Sequence, residues 1–172
     1  MSENPVWHTI LPAELSATRP ELAALMTANS LTAALSRLQA VFSVRLLGLG
    51  DMPWRTHEAG ALGLAAGAVY GREVLLCLDN TPVVWARSVC APEAAEWREV
   101  LDCGTQSLGA RLFDGSLPLQ RTPFDYTCAV WPDSGEAQAV WLRRSRFDWH
   151  GAPLLLSEAF LPALDDFLLS TP

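Results

Sequence analysis

The sequence predicts an α+β fold: a single antiparallel β-sheet of about six strands with helices packed against it. Three observations lead there. Runs rich in β-branched and aromatic residues, or alternating apolar with polar, recur from Phe42 to Phe160. Most are separated by turn chemistry rather than by crossover helices, and strands joined through turns pair antiparallel. Helical periodicity falls largely outside those runs, so the helices must cover a face of the sheet.

The elements follow in order. Thr18-Arg19-Pro20-Glu21 has capping-box spacing, and Leu22, Leu25 and Met26 then share a face, so a short helix starts there. Ser30 reads as the next N-cap, with Leu31, Leu35, Leu38 and Val41 at helical spacing and an end near Ala40 or Val41. Phe42, Val44 and Leu46 alternate with Ser43 and Arg45 as a first strand closed by Gly48 and Gly50. Residues 51–68 read as mostly irregular, with one helical turn. Val69 to Leu78 and Val83 to Cys90 form a hairpin around Asp79-Asn80-Thr81-Pro82. Pro92 to Leu101 is a helix with Gly104 beyond its end, followed by a short helical piece from Ser107 to Phe113. Strands then follow at Phe124 to Val130, Val140 to Trp149 and Leu154 to Phe160, with turns at Pro132 to Glu136 and at His150-Gly151.

A chain of 172 residues fits one compact domain with a substantial core. Half of it is hydrophobic and 18% charged, yet no apolar run approaches the roughly 18 to 20 residues of a membrane span. Met1 to Leu11 lacks a secretory pattern, which points to the cytoplasm. A formal charge of -7 argues against a nucleic-acid partner while leaving room for a small anion in a local basic pocket. Cys77, Cys90, Cys103 and Cys128 form no C-x-x-C pair and read as reduced core thiols. His8, His57 and His150 are scattered, so no metal site is expected. Walker A, G-x-S-x-G, dinucleotide G-x-G-x-x-G and H-E-x-x-H motifs are all missing.

The charged residues within strands need an explanation, because an unpaired buried charge is costly. If Asp79 lies opposite Pro82, Val74 faces Arg87 and Arg72 faces Val89. Both arginines then share one face on a diagonal of about 7 to 8 Å, suited to gripping one dianion. An odd loop would separate them, and each could instead pair with a local acid such as Glu73 or Asp79. In the last hairpin Leu154, Leu156, Glu158 and Phe160 share a face, so Glu158 interrupts an apolar stripe. With Trp149 opposite Ala152, Glu158 falls opposite Arg143. It is then either an ion-pair partner or a carboxyl aimed at a substrate hydroxyl or proton. Arg143, Arg144 and Arg146 are split between faces by alternation and read as paired or solvated.

Two stretches resemble the bacterial chorismate pyruvate-lyase family. One runs from Arg72-Glu73-Val74-Leu75-Leu76-Cys77 to Trp85-Ala86-Arg87-Ser88-Val89. The other is Trp141-Leu142-Arg143-Arg144-Ser145-Arg146 with Gly151 to Pro162. Weaker echoes occur at Ser30-Leu31-Thr32 and Ser107 to Phe113, so the resemblance touches nearly the whole chain. The segment from Leu119 to Asp133 aligns poorly, and the proline of Cys90-Ala91-Pro92 stands one residue later than usual.

The resemblance implies a chorismate lyase-like sheet with a closed internal pocket under flaps. It implies a cofactor-free carbon-oxygen lyase that turns chorismate into 4-hydroxybenzoate and pyruvate, the first committed step of ubiquinone biosynthesis. By the same resemblance Arg72 grips the ring carboxylate, Glu158 meets the 4-hydroxyl, and Arg87 belongs to an adjoining site for the enolpyruvyl portion. Leu31, Leu108 and Gly109 line the pocket. Chorismate, 4-hydroxybenzoate and pyruvate would be its only partners, bound by a monomer. The rival is a binding module of the same fold, an effector-sensing domain or a 4-hydroxybenzoate carrier. Only some 30 residues precede the second helix, too few for a winged helix, which weighs against the sensor.

Overall fold

A computed structural model describes residues 5–65, 67–131 and 137–169. One sheet holds β1 (Phe42–Pro53), β2 (Ala68–Leu78), β3 (Thr81–Cys90), β4 (Gln120–Arg121), β5 (Asp125–Val130), β6 (Ala139–Trp149) and β7 (Ala152–Phe160). Its order is β1-β2-β3-β7-β6-β4, with β5 also paired to β6, and every pairing is antiparallel. The helices are short: α1 (Ala13–Thr18), α2 (Pro20–Thr27), α3 (Leu31–Leu35), α4 (Thr56–Leu62), α5 (Ala95–Leu101), α6 (Leu108–Leu112) and α7 (Leu164–Leu168). The α+β expectation holds, with the two-residue β4 as the additional strand.

Local signals account for most helix ends, and the exceptions have causes. The capping box at Thr18 does not form: Thr18 closes α1, its Oγ1 donating to the Glu14 carbonyl, and Pro20 opens α2 behind an uncapped Arg19. Ser30 caps α3 by accepting from Ala33 N. That helix stops at Leu35, and the chain continues through tighter turns, Arg37 N to Ala34 O and Leu38 N to Leu35 O. Such i→i+3 turns keep near-helical spacing, which is why Leu38 read as helical. β1 runs past Gly48 and Gly50 to Pro53 by absorbing an irregularity between Leu46 and Gly48. α4 makes nearly two turns where one was expected, and α5 starts at Ala95 rather than Pro92. The expected turn at Pro132 to Glu136 lies outside the described residues.

The first hairpin decides which face each charged residue takes. Asp79 (φ 48°) and Asn80 (φ 65°) make a two-residue left-handed loop, the geometry that matches strand twist. Leu78 then pairs with Thr81 and Cys77 with Pro82, but the next pair is Leu76 with Val84. Val83 is therefore an inserted bulge residue, next to a proline that has no N–H for the ladder. Beyond it Arg72 pairs with Ser88, and Glu73 pairs with Arg87. Arg72 and Arg87 lie on opposite faces, which corrects the expected register. The second hairpin keeps its expected register, with Trp149 opposite Ala152 and Arg143 opposite Glu158.

Both faces are covered. On the first, Val74, Leu76, Ala86 and Phe160 meet Leu22, Met26, Leu31 and Leu35 of the N-terminal helices. A neighbouring cluster joins Cys90, Phe147, Leu154 and Leu156 to α5 and α6 through Trp97, Leu101, Leu108 and Leu112. On the second face Val69, Val89 and Leu155 pack on Leu62 of α4, while Trp85, Leu142 and Ala159 pack on Trp131 and Trp7.

Because Asn80 must hold a positive φ, Asn80→Val should lower unfolding free energy by about 1–2 kcal/mol in urea titrations, and Asn80→Gly should not.

Candidate active site

A cavity lies in the seam between the two apolar clusters of the first face. Leu31 and Thr32 of α3, Val74 and Leu76 of β2, Ala86 of β3, Leu108 and Gly109 of α6 and Leu156 of β7 supply most of its wall. The wall is apolar apart from a few placed groups, the make-up of a small-ligand site.

Arg72 is the group that needs a partner. Its side chain is 3% exposed, its Nη2 donates to the carbonyls of Gly104 (2.9 Å) and Gln106 (3.0 Å), and its Nε is buried without a hydrogen bond. Among the described residues no carboxylate comes within ion-pairing distance of it. Burial pulls its pKa down, opposed only by the Cys103 thiol. A guanidinium so placed is a receptor for an anion.

Across the cavity Glu158 accepts from Arg143 Nε at 2.5 Å. Arg143, 1% exposed, also donates from Nη1 to the carbonyls of Leu25, Met26 and Ala28 at the end of α2, which fixes the carboxylate in place. Both readings of Glu158 therefore hold geometrically: it is the partner of Arg143 and it lines the cavity. The register puts Arg72 and Glu158 two strands and two residues apart, ~12 Å between backbones. Both side chains line the cavity between those positions. Ser107 Oγ caps α6 and lies 2.8 Å from Thr32 Oγ1, tying α6 to α3 over the cavity. A Cβ at Gly109 would come within 3.1 Å of that Thr32 oxygen, so Gly109 permits this approach.

Arg87 is elsewhere, on the second face under α4. Its Nε and Nη2 donate to Glu58 at 2.6 and 3.2 Å, its Nη1 to Glu73 at 2.5 Å, and Nη2 also to the Pro53 carbonyl at 2.7 Å. Burial would lower its pKa, and the bonds to Glu58 and Glu73 outweigh that and raise it. The two arginines are equally buried, but one is saturated by carboxylates and the other has none among the described residues.

A computational family model described as chorismate lyase matches residues 1–166. The chain belongs to the chorismate lyase family. A Pseudomonas putida protein named probable chorismate pyruvate-lyase is 43% identical over 154 residues, spanning 85% of this chain and 82% of that protein. One from an Azoarcus species with the same name is 37% identical over 155 residues, spanning 78% and 80%. The fold is also similar to the effector domain of PhnF from Mycobacterium smegmatis (TM-score 0.52, 16% identity, 80% of this chain and 90% of that one). A second likeness is the C-terminal domain of the histidine utilization repressor from Pseudomonas syringae pv. tomato (TM-score 0.52, 13% identity, 72% and 93%). At such identities the likeness concerns the fold alone.

Of the residues singled out in this chorismate lyase family member, Arg72, Glu158, Leu31, Leu108 and Gly109 meet in the cavity and Arg87 does not. The cavity adds Ser88, Phe113, Arg121 and Arg143. Arg143 was visible as the cross-strand neighbour of Glu158. Arg121 was not, because a two-residue strand carries no alternation to read.

Two measurements check these environments. In denaturant titrations of ligand-free protein, Arg87→Met should cost about 3–5 kcal/mol by stranding Glu58, whereas Arg72→Met should cost no more than about 1–2 kcal/mol. On the second face, burial and the charges of Arg144, Arg55 and Arg87 push the His57 pKa down from 6.5 to about 3. The unfolded chain then binds the additional proton, so stability falls as pH drops below 6.5. His57→Phe should flatten that slope between about pH 6.5 and 5, measured by thermal melts.

Proposed function

We propose that this protein eliminates pyruvate from chorismate, leaving 4-hydroxybenzoate, and that it does so as a one-domain, cofactor-free, cytoplasmic monomer. The observation that carries the proposal is Arg72: a buried cation without an acidic partner among the described residues, in the wall of an apolar cavity that Glu158 also lines. The family match and the relatives named as probable chorismate pyruvate-lyases support the same reaction.

In this reading Arg72 binds the ring carboxylate, and Leu31, Leu108 and Gly109 help to enclose the ring. Glu158, held by Arg143, accepts a hydrogen bond from the C4 hydroxyl. The C4–H bond breaks as its electron pair forms the C3–C4 double bond. In the same event the C3–O bond breaks with its pair on the enolpyruvyl oxygen, and the released enolpyruvate takes up the proton at its methylene carbon to become pyruvate. The ring becomes aromatic, so the driving force lies in the substrate, and the protein need only orient it and exclude water.

Incubating pure protein with chorismate should release 4-hydroxybenzoate, followed by absorbance, and pyruvate in equal amounts. Arg72→Ala should lower kcat/KM by at least about 100-fold, the scale of losing a charge-assisted bidentate contact. Near-normal turnover in that variant would remove Arg72 from the site. Binding of 4-hydroxybenzoate without turnover by the wild type would favour a carrier.

A further inference from the structure

The cavity carries more positive charge than one carboxylate requires. Its lining includes three guanidiniums, those of Arg72, Arg121 and Arg143, and one carboxylate, Glu158. Arg143 and Glu158 neutralise each other at 2.5 Å, which leaves two uncompensated cations. A monoanion such as 4-hydroxybenzoate answers one of them. A dianion answers both.

Arg121 sits at the rim. It pairs with Phe147 on β6, beside Asn29 and the 41% exposed Phe113. Its Nε donates to Ser145 Oγ at 3.0 Å and its Nη1 to the Asn29 carbonyl at 2.6 Å, so Nη2 enters neither bond. The guanidinium lies over Phe124 at 4.3 Å, Phe147 at 4.8 Å and Phe113 at 5.1 Å, rings that strip it of water and hold its plane without cancelling its charge. No described carboxylate makes an ion pair with it. Burial brings its pKa down to about 10, partly offset by Glu158, and it stays charged at neutral pH.

Strand order completes the geometry. Across the face run Arg72 on β2, Glu158 on β7, Arg143 on β6 and Arg121 on β4, so the two unpaired cations flank Glu158 from opposite sides. Chorismate distributes its groups in the same order. Its ring carboxylate is para to the C4 hydroxyl, and the enolpyruvyl ether leaves C3, next to that hydroxyl and away from the ring carboxylate. We infer that Arg121 binds the enolpyruvyl carboxylate of chorismate at the rim of the cavity, the role that Arg87, saturated on the other face, cannot fill by direct contact. This assignment rests on the lyase reading above. It also gives an order to the products: pyruvate takes the rim carboxylate with it, while 4-hydroxybenzoate keeps its grip on Arg72 deeper inside.

The test separates the two carboxylates. Arg121→Met should lower kcat/KM for chorismate by about 10- to 100-fold while changing the Kd for 4-hydroxybenzoate less than about 3-fold. Arg121→Lys, which keeps the charge without the planar fork, should fall between. Arg72→Met should weaken both ligands. A second measurement needs no variant. Wild-type protein should bind 3-(carboxymethoxy)-4-hydroxybenzoate at least about 10-fold more tightly than 3-(2-amino-2-oxoethoxy)-4-hydroxybenzoate, in which a neutral amide replaces that side-chain carboxylate. Equal affinity for the two analogues, unchanged kcat/KM in Arg121→Met, or equal loss of chorismate and 4-hydroxybenzoate in that variant would overturn the assignment. Wild-type protein that binds the analogues yet leaves chorismate intact would overturn the lyase reading instead, and the analogue comparison would still decide the role of Arg121.

Discussion

A single inserted residue, Val83, sets the parity of β3 against β2, and the distribution of charge through the molecule depends on it. Side chains along a strand alternate between faces, so one residue more or less in the ladder sends every later side chain to the other side. Without the bulge Arg72 and Arg87 would share a face. With it, Arg87 is delivered beneath α4 to Glu58 and Glu73, and Arg72 is left with two carbonyls and a cavity. Pro82 explains the location, since a residue without an N–H cannot continue the ladder at that step.

The two faces consequently solve the same problem in opposite ways. Under α4 the buried cation is fully compensated, and Arg55 extends the network toward Glu58 and Glu73 while lying against Trp85 and Trp131. That arrangement stabilises a folded chain and leaves Arg87 little capacity to receive a ligand. On the other face Arg143 and Glu158 are similarly satisfied, but Arg72 and Arg121 have no carboxylate partner among the described residues. Burying a cation without a counter-charge is costly, and an anion bound in the cavity would relieve that cost.

The helices contribute by position more than by length. None of α3, α5 and α6 exceeds seven residues, so none would be stable alone. They are held by burial of residues such as Leu31, Trp97 and Leu108 against the sheet, and by specific ties such as Trp97 Nε1 to the Ala152 carbonyl and Ser107 to Thr32. The last of these ties joins α3 to α6 directly over the cavity.

Local chemistry in the sequence determined a good deal. Asp79-Asn80 and His150-Gly151 marked tight turns, alternation marked most strands, and the second hairpin's register, with Arg143 opposite Glu158, followed from counting residues back from its turn. That Arg72 and Glu158 interrupt apolar faces was equally legible, because a charge in a buried stripe stands out whatever the fold. The tertiary structure alone decided the rest. Parity across the first hairpin turned on a bulge, a choice between ladders that differ by one residue and share the same turn. Glu58 met Arg87 only through the docking of α4, 29 residues away in sequence. Arg121 reached the cavity from a two-residue strand too short to leave a pattern. Hydrophobic periodicity records which face of an element is buried, but not what another element brings to that face; that depends on long-range packing.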